Sequence, residues 1–400
     1  MIKINHSYTE DFLVRYEQYI TDNAIPCFHN KVLNARGITL TERECIEGLF
    51  TDVFIRDLIF CDAGQLNTNI DLIYNHLPIL AERYCFEYYL KDISLTSEEA
   101  LMPISTNIAK SEIRQIYERV IIELQELSRI NSSILLPTII NEIQVEENAK
   151  ASEVKDKLKK INSMKLGNYK LTEENIALFP CWVNGFNDVF NYTEMSRMFG
   201  REITSSLNLD VCPYCNNEDI ETIRESNGGT RPDLDHFYPK SKFPFFSVTL
   251  SNLIPSGKRC NQVYKGAVSM FGYMHPRIEG ISQNRLFDFY KTPGEGINID
   301  NVNIKIRKLN NRLDKNLDLF RVQTVHNKNN VKKWFLKLDE RYQLIRNSSH
   351  DFIDDILDND ELIRSRLDVD VNESPTKEQF QKFKIDALNF MSGRNYQIAD

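Results

Sequence analysis

Over the first 200 residues apolar side chains recur every three or four positions, the period of a helix with one buried face. Phe12, Leu13, Tyr16, Tyr19 and Ile20 follow Ser7-Tyr8-Thr9 in this way. Thr41-Glu42-Arg43-Glu44 reads as a capping box, in which a hydroxyl and a carboxylate three positions apart satisfy each other's backbone amides. Ile46, Leu49, Phe50, Val53 and Phe54 continue its apolar face, and Thr96 with Glu99 offers a second box. Ser111 opens the clearest stripe: Ile113, Ile116, Tyr117, Val120, Leu124 and Leu127. The aromatic group Tyr84, Phe86, Tyr88 and Tyr89 reads as core rather than as a partner surface. Cys27 and His29 have ligand-like spacing but no second pair nearby, and read as structural.

Residues 144–160 turn polar, as a solvated helix or a linker. Lys155, Lys157, Lys159, Lys160 and Lys165 make the densest basic cluster, either an exposed helix face or a phosphate contact. Helical spacing returns from 173 to 207 through Phe186, Val189, Phe190, Met195 and Met198.

The pattern changes near 208. Residues 216–230 are acidic and end in the turn signal Asn227-Gly228-Gly229. Asp233 to Tyr238 alternates as a strand, stopped by Pro239 and Pro244. Phe245, Phe246, Val248 and Leu250 form an apolar wedge, and a short helix is expected near Arg259 with Asn261 in its first turn. Beyond 290, Thr-Pro-Gly-Glu-Gly reads as a loop and 297–306 as a β segment with alternating Ile. Leu313, Leu317 and Phe320, then Trp334, Phe335, Leu338 and Tyr342, mark two helices; Ser374-Pro375 starts a last one through Phe380, Phe383 and Leu388. Asp351, Asp354, Asp355, Asp358, Asp360 and Glu361 form an acidic face that repels a nucleic-acid backbone and suits solvent or a partner. The fold class is thus α+β, a mainly helical chain with a small β element. Three regions are expected: 1–200 helical, for docking or substrate positioning; 201–290 a finger; 291–400 mainly helical.

Composition narrows the class. The chain has 400 residues, too many for one ordinary core, and 42% hydrophobic with 26% charged residues is the balance of a globular chain. A net charge of −8 means that nucleic acid, if bound, meets a local basic patch. Of eight cysteines only Cys212 and Cys215 are paired in sequence, which argues against a disulfide framework and for a reducing cytoplasm. Neither a signal peptide nor a membrane span is visible.

The chemistry concentrates between Cys212 and Lys265. Cys212 and Cys215 are spaced as metal ligands; Asp235-His236 pairs a hard oxygen ligand for Mg²⁺ or Mn²⁺ with an imidazole able to take a proton from water. Asn261 adds an oxygen, Asn252 suits orienting the imidazole, and Lys258, Arg259 and Lys265 offer cations for phosphate. This is a kit for metal-assisted phosphodiester hydrolysis.

In this order the residues resemble an HNH, or ββα-metal, nuclease. The run D-H-F-Y-P-K-S, N-L-I-P-S, C-N and K-G is similar to the PtuB-like nuclease subunits of Septu and retron anti-phage systems, as is, loosely, F-L-K-L-D-E-R-Y at 335–342. The resemblance implies His236 as base, Asp235 and Asn261 as Mg²⁺ or Mn²⁺ ligands, Asn252 as the residue steadying His236, and Lys240, Lys258, Arg259 and Lys265 on nucleic acid. It also implies a structural zinc on two C-x-x-C pairs. Here the second pair is broken: Gly257 stands where a cysteine is expected and Cys260 remains. Cys212, Cys215 and Cys260 are three of four ligands, with the fourth open to His275, to water or to a distant residue. The implied activity is endonucleolytic cleavage of DNA, with RNA (tRNA) as the alternative, gated by an ATPase partner. The reading from another class is a non-catalytic zinc-finger-like binding module.

Overall fold

A computed structural model of the chain describes all residues except 6, 224–228, 282–284, 292–298 and 399–400. Residues 227 and 228 of the expected turn, the loop at 292–296 and the start of the expected β segment lie outside the described residues.

Among the described residues the architecture is mainly α-helical with two small antiparallel two-stranded sheets. β1 (Asp233–His236) pairs with β2 (Leu253–Ser256), setting His236 opposite Leu253 and Asp235 opposite Ile254. β3 (Phe287–Lys291) pairs with β4 (Val302–Ile306); the β segment is therefore shorter than 297–306, since 299–301 form a helical turn. Among the described residues no helix is long and apolar enough to cross a membrane.

The helical stripes bury as their spacing requires. In the helix Asn107–Ile130, Ile113, Ile116, Val120 and Leu124 are buried while Tyr117 and Leu127 are half-buried; its cap is Thr106, five residues ahead of Ser111. Thr96 and Glu99 form the expected box, but the other one is Thr39 with Glu42, not Thr41 with Glu44. Thr39 takes that role because it is extended, and its hydroxyl accepts from the Glu42 amide. The helix it starts ends at Leu49; Thr51 caps a new one, Asp52–Phe60, so the face through Val53 breaks and Val53 is exposed. The last helix starts at Gln381, because Phe380 is left-handed with φ 59°. Tyr84, Phe86, Tyr88 and Tyr89 are core. Residues 151–165 form a helix whose lysines serve the fold: Lys155 and Lys165 donate to the carbonyls of Met102 and Leu95, Lys157 to that of Glu142, and Lys159 and Lys160 pair with Asp156 and Glu142.

One apolar core crosses residues 200 and 290. Phe243, Phe245, Phe246, Val248 and Leu250 are buried in it, as the wedge predicts. Tyr16 Oη donates to the Val248 carbonyl (2.6 Å), Thr249 Oγ1 to that of Leu58 (3.2 Å), and Asn216 Nδ2 to that of Pro375 (2.7 Å). The first two bonds tie the connection between β1 and β2 to helices of the N-terminal region, and the third ties the turn before β1 to the segment ahead of the last helix. A broken contact of this kind leaves an unpaired group in the core.

Candidate metal cluster and catalytic cleft

The segment 211–219 folds back on itself. Val211 bridges Asp219, the Cys212 amide donates to the Glu218 carbonyl (2.8 Å), and Asn216 takes the left-handed conformation that lets the chain reverse. The turn presents Cys212 and Cys215 to Cys260, in the helical segment Arg259–Lys265. The fourth group is Glu218: the three sulfurs and a Glu218 carboxylate oxygen lie within 4.8 Å of one another. All three cysteines are buried, and the set could hold a metal such as zinc, which takes four such ligands as a tetrahedron. The thiols share their protons unequally. Hydrogen bonds from Cys212 and Cys260 hold Cys215 well below the usual thiol range; burial raises Cys212, and its bonds to the other two thiols raise Cys260. A bound cation would deprotonate them all.

His275 is therefore not the fourth group. Its ring packs on Phe237 (centroids 4.2 Å apart), its Nδ1 accepts the Arg277 amide (3.1 Å), and burial pushes its pKa down to about 3. Glu218 was not singled out from the sequence. The available signal was a carboxylate three residues after Cys215, opposite a missing cysteine.

Asp235 and His236 end β1, both buried. His236 Nε2 lies 2.9 Å from the Ser247 carbonyl. A carbonyl only accepts, so Nε2 carries the proton and Nδ1 keeps its lone pair. Nδ1 has no protein partner among the described residues. Burial lowers the His236 pKa to about 3, helped by Lys240 and Lys265 and opposed by the Ser247 bond; the ring is neutral near pH 7. Asn252 does not hold this ring directly. Its Oδ1 accepts the Tyr238 amide (2.8 Å) and its Nδ2 donates to the carbonyls of Tyr238 (3.0 Å) and Phe246 (3.2 Å). It braces the loop whose next carbonyl, Ser247, orients the imidazole.

Each oxygen of Asp235 has a donor. Oδ1 accepts from Lys265 Nζ (2.9 Å) and Oδ2 from Tyr214 Oη (2.7 Å); Lys265 also donates to the His236 carbonyl (2.6 Å). The side chains of Lys265 and Asp235 are 1% and 3% exposed, so Lys265 is a buried counter-ion and not a surface contact for nucleic acid.

Asp235, His236, Lys265 and Asn261 line a cleft of about 510 Å³ with Tyr192, Asp233, Arg231 and Lys240. Asn261 Nδ2 approaches Asp233 (3.4 Å), whose Oδ2 also accepts from Gln262 (2.7 Å). Lys240 is exposed and lies over the Tyr192 ring at 4.7 Å, and that ring packs edge-on to His236 at 4.5 Å. Arg231 bonds Ser196 (2.7 Å). Lys258 and Arg259 are exposed outside the residues that line the cleft. Tyr192 lies outside the Cys212–Lys265 segment, and Arg231, inside it, carries no assigned role in sequence; the fold brings both to the cleft that His236 lines.

Over 78 residues the chain is 33% identical to protein ea31 of Escherichia phage lambda, a stretch covering 20% of this chain and 23% of that protein. No protein-family model matches the chain. No solved structure matches it.

Proposed function

We propose that this chain is an HNH-type endonuclease that hydrolyses phosphodiester bonds, preferably in DNA, as the effector of an anti-phage system gated by an ATPase partner. The observation that supports it best is the state of His236: Nε2–H is held by the Ser247 carbonyl, Nδ1 has no partner among the described residues, and the residue lines a cleft together with Lys240 and Arg231. A neutral imidazole so fixed accepts a proton from water through Nδ1. The hydroxide attacks phosphorus, the bond to the leaving oxygen breaks, and that oxygen takes a proton from solvent. Lys240 and Arg231 line the same cleft and would supply positive charge to the non-bridging oxygens. An anionic phosphodiester also offsets the Lys240 and Lys265 charges and raises the basicity of the ring.

The resemblance offers Asp235 and Asn261 to Mg²⁺ or Mn²⁺. In the arrangement described each Asp235 oxygen has a donor, one of them the Lys265 ammonium, whose like charge opposes an ion there, and Asn261 turns its Nδ2 to Asp233. No step is routed through that ion. Zinc fits the other cluster, where Cys212, Cys215, Glu218 and Cys260 would tie the turn before β1 to the helical segment after β2.

The reading is tested by incubating the full chain, alone and with its candidate ATPase, with plasmid DNA and with tRNA. The series includes Mg²⁺, Mn²⁺ and a chelator. Cleavage of DNA that His236→Ala abolishes supports it. Cleavage of tRNA alone transfers the substrate to RNA. Binding of either without cleavage, unchanged in His236→Ala, makes the chain a binding module.

A further inference from the structure

We infer that the cation belonging to Asp235 in this chain is the ammonium of Lys265, which stands where a divalent ion would bind, so that an ion enters only by displacing it. The inference deepens the nuclease reading and rests on it for the meaning of the site. Lys265 ends the segment Arg259–Lys265, and Gly266, with φ 51°, turns the chain away. The segment is a widened helical turn, with the Gly266 amide on the Asn261 carbonyl (2.9 Å). Its last side chain runs inward to the end of β1. There the ammonium spends two of its three donors, on Asp235 Oδ1 and on the His236 carbonyl. Tyr214 takes the other Asp235 oxygen. Tyr214 is itself fixed, stacked on Phe320 with centroids 4.2 Å apart and planes 8° apart. Each strong acceptor that an incoming ion would use at Asp235 thus already has a donor. The donor nearest it carries like charge, and the pair is buried. Pairing inside the protein neutralises the carboxylate without an ion.

The consequence is antagonism between Lys265 and a divalent cation. Mn²⁺ binding to the zinc-loaded full chain, followed by electron paramagnetic resonance, reads it directly. Wild type is expected to bind Mn²⁺ weakly, and Asp235→Asn to leave that binding unchanged. Lys265→Met should bind one Mn²⁺ per chain more tightly by about tenfold or more, and the double variant Lys265→Met/Asp235→Asn should lose the gain. Lys265→Met should also melt lower than wild type without Mn²⁺ and recover with it, while the wild-type melting temperature stays put. Tight binding of one Mn²⁺ to wild type, abolished by Asp235→Asn, overturns the inference, as does a folded Lys265→Met with no gain in affinity. If Lys265→Met does not fold, Asp235→Asn against wild type still decides. Failure here leaves the nuclease reading standing if His236→Ala abolishes cleavage. Absence of cleavage in every condition sinks that reading while the Mn²⁺ titration is still read.

Discussion

Gly257 and Glu218 fit one another: a Cβ on Gly257 would stand 2.3 Å from Glu218 Oε2. The position where a fourth cysteine is expected is empty of side chain, and the carboxylate occupies the space. Gly257→Ala should therefore push Glu218 aside, lowering stability by about 1–3 kcal/mol and loosening zinc. Gly257→Cys with Glu218→Ala should rebuild a four-sulfur site that keeps zinc. Zinc content after dialysis against a chelator checks both; Gly257→Ala with unchanged zinc and melting temperature would contradict the pairing.

Removing Glu218 alone tests the same site from the other side. Glu218→Ala should retain less zinc than wild type under equal chelation, because three thiolates leave the tetrahedron open. His275→Ala, by contrast, should leave zinc content unchanged. The opposite result would return His275 to the ligand set.

Much of the candidate site was legible in sequence because it is local. Asp235-His236 and Cys212 with Cys215 are adjacent in the chain, and Asn261 needed only a helical segment at the expected place, which Arg259–Lys265 supplies. Helical stripes such as Ile113 to Leu124 were legible for the same reason, since burial repeats with the helix. Long-range partnership was not. Lys265 reads as a surface cation until β1 is placed beside it, and Glu218 reads as part of an acidic loop until Gly257 opens room for it. The lysines at 155–165 read in sequence as an exposed face or a phosphate contact, because sequence does not show the carbonyls of Met102 and Leu95 that Lys155 and Lys165 take.

Tyr214→Phe should cost about 1–3 kcal/mol, since it leaves Asp235 Oδ2 buried without its donor. Chemical denaturation followed by circular dichroism measures it. A loss below the error of the fit would show that water replaces the hydroxyl.

Acid should destabilise the fold through its buried histidines. Burial lowers His275 to about 3 and His326 to about 4, against an ordinary value of 6.5. Below pH 6.5 the unfolded chain binds protons that the folded chain refuses, so stability falls as pH falls, by about 1 kcal/mol for each histidine at pH 5.5. Above 6.5 both states are neutral and the effect vanishes. Melting temperature measured from pH 7.5 to 5 should drop, and His326→Gln or His275→Gln should flatten the slope. A slope unchanged in both variants would assign the acid sensitivity to other groups.

The central claim is that His236 is the base. Cleavage of a supercoiled plasmid by the full chain, with its activating partner where one is required, is the most direct measurement, comparing wild type with His236→Ala at matched zinc content and melting temperature. The account predicts a rate lower by about 10²- to 10⁴-fold with DNA binding retained. It also predicts no wild-type activity loss centred at pH 6.5, because the free ring stays neutral well below that. Wild-type cleavage that survives undiminished in His236→Ala would contradict it.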